Sequence, residues 1–185
     1  MATQLCSGVV RDGSTDAGLL ENIISQLKTA AREVSQLSRG LAPITISPGG
    51  LAQALATMVE AMQKTSAATC HCQTQADVDV GDPAVAHQLY RIAQEALTNA
   101  LKYARARQVT VSLVRRSPWI ELVVEDDGVG FDRLAVQKAQ GVGMRIMHYR
   151  ANIIGAEFHI QSAPGKGTRV SCSYQCQDAS DTGGP

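Results

Sequence analysis

The stretch that decides the fold is residues 119–132, WIELVVEDDGVGFD. Its first half alternates apolar and polar residues, and this alternation predicts a β-strand with one packed face. Its second half places Asp126 shortly before Gly128 and Gly130. Glycines after a strand let the backbone turn sharply and let a flat ligand approach closely. The stretch therefore predicts a ligand-facing loop. A simple turn is the alternative, and the ligand series of a calcium-binding loop is missing.

The segments on either side extend this strand into a mixed fold. Asp82 and Pro83 are the cap and first residue typical of a helix start. In chain order, the predicted elements are a helix over 51–62, a strand and turn over 69–80, a helix over 83–102, strands over 109–114 and 119–124, a helix over 143–154, and two last strands joined by a turn over 162–167. This order predicts an α+β fold, a two-layer sandwich with helices on one face of a mixed sheet.

The first 47 residues carry a different pattern. Apolar residues recur at spacings of three and four from Leu20 to Leu41, which keeps one apolar seam along a helix. We expect a helical hairpin or bundle that pairs with a second copy, the alternative being a helix that packs on its own domain. Prolines and glycines between residues 43 and 50 break this helix. The predicted domains are a helical segment over 1–47, a main domain over 48–177 and a disordered tail over 178–185.

The composition argues against several partners. The 17 basic and 17 acidic side chains cancel, so nothing favours nucleic acid or an anionic membrane as a partner. No apolar run approaches the length that spans a bilayer. We expect a cytoplasmic protein that makes no membrane contact through this chain, and a membrane anchor elsewhere in a longer parent stays open. The 5 cysteines cannot all pair in internal disulfides, and reduced thiols are favoured over a zinc site.

One face of the helix after Pro83 carries a cluster of chemical groups. The cluster consists of Glu95, Asn99, Lys102 and Tyr103. Their offsets of four, three and one place them on one side of a helix. An amide oxygen can ligate a hard cation, and an ammonium can bind phosphate oxygens. The face therefore fits a magnesium–phosphate site, with a solvated stripe of an amphipathic helix as the alternative.

A pair of glycines opens the next predicted helix. Residues 141–144 are Gly141, Val142, Gly143 and Met144. Backbone N–H groups at a helix start attract anions, so this segment is a candidate for contact with phosphate. It is not the dinucleotide-binding fingerprint, because Ile146 stands where the third glycine of that fingerprint belongs.

Four motifs follow one another along the chain. They are Glu95-x-x-x-Asn99-x-x-Lys102-Tyr103-Ala104, Asp126-x-Gly128-x-Gly130, Gly141-x-Gly143-Met144 and Gly165-x-Gly167-Thr168. This series resembles the asparagine box, the two glycine boxes and the final glycine-threonine box of the GHKL ATPase superfamily, which includes histidine kinases and DNA gyrase B. The helix over 144–155 and the short stretch before Gly141 resemble sensor histidine kinases of the NarX/DesK type. Residues 32–51 resemble part of the dimerisation domain of those kinases.

For the phosphate end of the nucleotide, the resemblance implies these roles. Asn99 would ligate Mg²⁺, and Glu95 would polarise the attacking group or a magnesium-bound water. Lys102 and Tyr103 would meet the phosphates and the ribose. Residues 141–144 would form the phosphate-facing edge of a lid. The implied cofactors are therefore ATP and Mg²⁺.

For the adenine end, the resemblance implies a second group of residues. Asp126 would accept a hydrogen bond from the adenine amino group, and Thr168 would support this contact through a water. Gly128 and Gly130 would shape the pocket around the adenine ring.

The resemblance also implies an activity and partners. The expected function is that of the ATP-binding catalytic domain of a two-component sensor histidine kinase. Such a domain moves the γ-phosphoryl group of Mg-ATP to a histidine, for relay to the receiver domain of a response regulator. The helices within 1–47 would form a homodimer. The alternatives are an anti-sigma-factor-like serine kinase and a module that binds nucleotide or dimerises without catalysis.

No histidine stands where the phosphoacceptor of this family belongs. In the family that residue lies on the first dimerisation helix, whereas the first histidine here is His71. Neither His71 nor His87 is followed by Asp or Glu. We expect a piece of a longer kinase that begins after the acceptor site and cannot phosphorylate itself. A natural paralogue without an acceptor is the alternative.

Overall fold

The computed structural model describes residue 46 and residues 50–75, 78–132 and 142–176. All of them belong to one unit of the chain, Ile44–Pro185. The predicted heptad helix and the dimer that it would form lie outside the described residues, as do Gly141, the side chain of Val142 and the tail over 178–185.

Three helices and five strands make up the described part of the chain. In chain order they are α1 (Leu51–Gln63), β1 (Thr69–Thr74), α2 (Pro83–Tyr103), β2 (Gln108–Arg116), β3 (Trp119–Asp126), α3 (Val142–Ile153), β4 (Glu157–Ser162) and β5 (Thr168–Gln175). Each element that the periodicity predicts for these residues is present, and the differences are confined to the ends of the elements.

The strands form one sheet in the order β1-β2-β3-β5-β4. β1 pairs with β2 in parallel, and all other neighbours are antiparallel. The parallel pair is possible because α2 provides the crossover between β1 and β2. A mixed sheet with helices packed on it confirms the predicted α+β two-layer sandwich.

The helices cover one face of the sheet. In β2 the alternating residues Val109, Val111 and Leu113 are fully buried, while Thr110 and Ser112 between them are half-buried. α1 contacts β1, α2 contacts β2 and β3, and α3 contacts β4 and α2. The apolar alternation seen in the sequence therefore marks the face of the sheet that meets the helices.

The helix α2 is fixed at its start by a cap. The Asp82 carboxylate accepts a hydrogen bond from Ala84 N over 2.7 Å, and Pro83 is the first helical residue. Both features agree with the sequence prediction, and both favour a helix start because the first N–H groups of a helix lack partners within the helix. Leu89, Ile92 and Leu97 of α2 are fully buried in the hydrophobic core.

Candidate nucleotide-binding site

Asp126 is a carboxylate in a position where the strand pattern expects a core residue. It continues the inward-facing series of β3 and is only 8% exposed. Burial raises the pKa of Asp126, and hydrogen bonds from the Gly128 N–H and from Thr168 oppose this rise. The Gly128 bond to Oδ1 spans 2.9 Å. A buried carboxylate is costly unless donors surround it, so this position fits a ligand that brings an N–H donor.

The loop after β3 is tied to the end of α2. Val129 N donates to Ala104 O over 2.8 Å. A Cβ at Gly128 would overlap that same carbonyl oxygen and would lie 2.6 Å from the Ala104 Cβ. Glycine is therefore required here because the helix end lies directly against the loop.

A second tie joins this loop to the start of β2. The exposed Asp127 carboxylate accepts hydrogen bonds from Arg107 N over 2.7 Å and from Gln108 N over 2.9 Å. The hydrogen bond from the Gln108 backbone has the largest effect, and together with that from Arg107 it holds the pKa of Asp127 below its usual value. The glycine loop is thus tied both to Ala104 at the end of α2 and to the backbone of Arg107 and Gln108 at the start of β2.

Gly130 and Gly167 bring the same loop against the β4–β5 turn. Both have left-handed backbones, with φ values of 58° and 69°, which glycine adopts without strain. A Cβ at Gly130 would overlap the carbonyl oxygen of Ala163, and a Cβ at Gly167 would overlap the carbonyl oxygen of Asp126. The two glycines permit an approach of backbone to backbone around the Asp126 end of the site.

Glu95 and Asn99 form a pair on the flank of α2. They are one turn apart and half-buried, and Asn99 Nδ2 donates to Glu95 Oε1 over 3.3 Å. This bond orients the Asn99 amide with its nitrogen toward the carboxylate. Glu95 and Asn99 therefore lie on one face of α2, as their spacing predicts.

The start of α3 lies against this pair. A Cβ at Gly143 would overlap Glu95 Oε1 and would lie 3.4 Å from Asn99 Nδ2. The first N–H groups of a helix lack partners within it and carry the positive end of the helix dipole. The contact therefore joins an anion-attracting helix end to a carboxylate and an amide.

The remaining predicted residues occupy the borders of the site. Lys102 is exposed and Tyr103 is 65% exposed, in the last turn of α2 before the contact between Ala104 and the glycine loop. Met144 is half-buried and packs against the hydrophobic core. Its side chain thus anchors α3, while its backbone belongs to the helix start.

A group of cationic side chains lies further along the α2–α3 contact. Arg91 is only 5% exposed, and its Nη1 donates to Gln94 Oε1 over 2.9 Å. Arg150 on α3 donates to Gln88 Oε1 over 2.9 Å. Burial and then the charge of Arg91 lower the pKa of Arg150, and the charge of Glu95 opposes this effect. Positive charge thus lies next to the carboxylate of the site, and the sequence motifs give no indication of it.

Ser162 is a second residue of the site that the motifs do not indicate. Its Oγ donates to Gly167 O over 2.9 Å, accepts from Phe131 N over 2.9 Å and lies 3.2 Å from Thr168 Oγ1. Thr168 lies directly opposite Asp126 in the ladder between β3 and β5. The only sequence signal for Ser162 is its place at the start of the predicted turn.

The donor set of the site fits magnesium better than zinc. Within the described ranges, no three His, Cys, Asp or Glu side chains cluster so that they could hold a metal ion. Mg²⁺ uses one or two protein oxygens and takes the rest of its ligands from water and substrate phosphates. The Glu95–Asn99 pair is such a set. The four described cysteines are free thiols.

Residues 84–177 match the family model described as histidine kinase-, DNA gyrase B-, and HSP90-like ATPase. All four motifs fall within this range. The chain belongs to this ATPase family. The expected GHKL domain is thereby confirmed, and ATP is the nucleotide of the family.

Relatives of this ATPase domain include a sensor-like histidine kinase and a sensor protein. An uncharacterized sensor-like histidine kinase of Chloroflexus aurantiacus is 31% identical over 169 residues, which cover 87% of this chain and 28% of the relative. The sensor protein VraS of Staphylococcus saprophyticus is 32% identical over 139 residues, which cover 75% of this chain and 39% of the relative. The chain thus spans less than half the length of these curated relatives.

A solved structure has the same fold. The Erythrobacter litoralis EL346 blue-light activated histidine kinase has a TM-score of 0.64 and 26% identity, covering 84% of this chain and 51% of that chain. Among the described helices of the ATPase domain, none is long and apolar enough to cross a bilayer.

Proposed function

We propose that this chain provides the catalytic ATP-binding domain of a two-component sensor histidine kinase of the NarX/DesK type. The observation that carries the proposal is the contact of Gly143 with Glu95 and Asn99. It sets a phosphate-attracting helix start beside a carboxylate and an amide, which lie nine and five residues before Ala104, the residue that contacts the loop after Asp126. A nucleotide has the same polarity, with a base at one end and phosphates at the other.

At the base end, Asp126 accepts a hydrogen bond from the adenine amino group. The role is supported by burial of the carboxylate and by the glycines that hold the backbone close around it. Thr168 lies opposite Asp126 and supports the contact through a water. Gly128 and Gly130 shape the pocket around the ring, because without side chains they let the loop backbone lie against Ala104 and Ala163.

At the phosphate end, Asn99 would hold Mg²⁺, and Glu95 would polarise the attacking group or a magnesium-bound water. Mg²⁺ would offset the phosphate charge and orient the triphosphate. The backbone N–H groups of residues 142–144 meet phosphate oxygens at the start of α3. Lys102 and Tyr103, which are exposed at the end of α2, meet the phosphates and the ribose.

The acceptor histidine is supplied by another segment or another chain. None of the four histidines of the sequence suits the role, because all of them belong to the catalytic domain. Burial and the charges of Arg91 and Arg150 lower the pKa of His87, and His148 contacts Asn152 and the ring of Phe158. His71 and His159 are exposed on the edge strands β1 and β4.

The partners follow from this reaction. The phosphoryl group passes from the acceptor histidine to the receiver domain of a response regulator. The helices predicted within 1–47 would bring two copies together, and the use of ATP favours a cytoplasmic location for the domain.

The experiment that tests the proposal is a calorimetric titration of Mg-ATP into the unsubstituted chain and into Asp126→Asn. We expect binding that the substitution removes, because an amide offers an N–H donor where the adenine amino group needs an acceptor. In a second step, a histidine-containing dimerisation segment is added with labelled ATP. Transfer of label to its histidine supports the kinase, and binding without any transfer would leave only a nucleotide-binding module.

A further inference from the structure

Ser162 connects three segments around the Asp126 end of the site. It is the last residue of β4, and its Oγ contacts Phe131 N, Gly167 O and Thr168 Oγ1. Phe131 follows the glycine loop after β3, and Gly167 ends the turn between β4 and β5. No motif of the sequence includes this serine.

A count of protons fixes what Ser162 can still do. A serine hydroxyl has one proton to donate and two lone pairs that accept. The proton goes to Gly167 O, and one lone pair takes the N–H of Phe131. The lone pair that is left faces Thr168 Oγ1 at 3.2 Å. With these partners, Ser162 can only accept a hydrogen bond from the Thr168 hydroxyl and cannot donate one to it.

The Thr168 hydroxyl therefore has two acceptors for one proton. Its side chain also forms a hydrogen bond with the Asp126 carboxylate, the residue directly opposite it in the ladder. A charged carboxylate is the stronger acceptor. With no donor from a ligand, Thr168 donates to Asp126.

We propose that Ser162 is a positioning residue of the adenine site, whose Oγ accepts the hydrogen bond of the Thr168 hydroxyl when the adenine amino group donates to Asp126. The inference rests on the proposed role of Asp126. Because Ser162 keeps one lone pair for this purpose, Thr168 can turn away from the carboxylate without losing a hydrogen bond. The adenine amino group can then donate to the Asp126 carboxylate without competition from the Thr168 hydroxyl.

Removal of the Ser162 hydroxyl has a consequence that depends on the ligand. In Ser162→Ala, Asp126 is the acceptor left for the Thr168 proton, so Thr168 competes with the adenine amino group. A purine that lacks the 6-amino group does not enter this competition. The lost bonds to Phe131 and Gly167 loosen the loop for both ligands alike.

The test compares ATP with purine riboside triphosphate, which has no 6-amino group, by calorimetric titration with Mg²⁺ into the full chain. We expect the unsubstituted chain to prefer ATP, and Ser162→Ala to reduce the ratio of the two affinities roughly fivefold, the effect of one hydrogen bond. The matched control is Ser171→Ala, a half-buried serine on β5 that pairs with Val123 and His159 in the ladders. It should leave the ratio unchanged.

A second background tests whether Ser162 acts through Thr168. In Thr168→Val the competing proton is absent, so the further change Ser162→Ala should leave the ratio of affinities as it is. If Ser162→Ala does not fold, Ser162→Cys replaces it, because a thiol keeps the volume but is a weak acceptor.

Three results would overturn the inference, and they differ in what else they overturn. An equal loss of affinity for both nucleotides would reduce Ser162 to a structural residue. Binding of ATP without any preference over purine riboside triphosphate would also remove the adenine role of Asp126. Failure of the unsubstituted chain to bind either nucleotide would overturn the proposed function together with this inference.

Discussion

Gly143 at the start of α3 lies where any larger side chain would overlap the Glu95 carboxylate of α2. The overlapped atom is Oε1, and the Glu95 Cδ would lie 3.1 Å from an added Cβ. Oε1 is also the atom that accepts the hydrogen bond from Asn99. One contact therefore determines where the carboxylate, the amide and the helix start lie relative to one another.

This contact predicts that Gly143→Ala impairs phosphoryl transfer more than folding. The overlapped atoms are the far end of a flexible side chain, so Glu95 can rotate away and the fold is kept. We expect the free energy of unfolding to change by less than about 1 kcal/mol, since alanine favours a helix over glycine. A displaced carboxylate should reduce transfer by roughly 10- to 100-fold. Transfer of labelled phosphate to a histidine-containing segment measures the effect.

The control for this variant lies on the same helix. Asn152 is exposed on α3, and Asn152→Ala should leave transfer unchanged. Full transfer by Gly143→Ala would show that the position of Glu95 does not matter to the reaction.

Replacement of Gly128 by alanine should instead reduce the stability of the fold. An added Cβ there would overlap the backbone of Ala104, which is held by hydrogen bonds and cannot rotate away. Gly128→Ala should therefore lower the free energy of unfolding by about 1–3 kcal/mol. Urea denaturation of the two glycine variants side by side checks this, and equal stability of both would contradict the distinction between backbone and side-chain overlap.

Asp126→Asn should raise the stability of the free protein while it removes nucleotide binding. Because burial raises the pKa of Asp126 in the folded state, the folded state binds this proton more tightly than the unfolded state does. Stability is therefore lost as pH rises from the unfolded pKa of about 3.9 through the raised folded value. An asparagine does not titrate and so causes no such loss. At pH 7 the Asp126→Asn variant should therefore have a higher melting temperature than the unsubstituted chain.

The pH dependence distinguishes this cause from a general effect of the substitution. The difference in melting temperature between Asp126→Asn and the unsubstituted chain should shrink as the pH falls toward 4. The control is Asp127→Asn at the neighbouring exposed position, where hydrogen bonds lower the pKa. That variant should lose stability at pH 7, and a gain there would contradict the assignment.

Much of the fold could be predicted because its signals are local. The alternation in β2 and β3 marks the buried face of the sheet, and the cap formed by Asp82 marks the start of α2. The period of two also explains Asp126. β3 continues two residues beyond its predicted end, and Asp126 extends the inward apolar series, where a carboxylate is costly unless donors surround it.

The features that could not be predicted are contacts between distant segments. A lone serine such as Ser162 has no periodic signature, and its three contacts arise only when the β3 loop meets the β4–β5 turn. The burial of Arg91 depends on how α3 lies against α2. Spacing along one helix places Glu95 and Asn99 together, but it holds no information on Gly143.

The last prediction separates binding from chemistry at Glu95. Glu95→Gln keeps the shape of the side chain and can still accept the bond from Asn99, but it loses the negative charge and the capacity to take a proton. We expect the affinity for Mg-ATP to change by less than about threefold, since the contacts of the base remain, while phosphoryl transfer falls by roughly 100-fold or more. Calorimetry gives the first quantity and labelled transfer to a histidine-containing segment the second. Asp126→Asn serves as the comparison, because that variant should lose nucleotide binding itself. Equal loss of binding and transfer in Glu95→Gln would assign the carboxylate to nucleotide binding and not to the reaction.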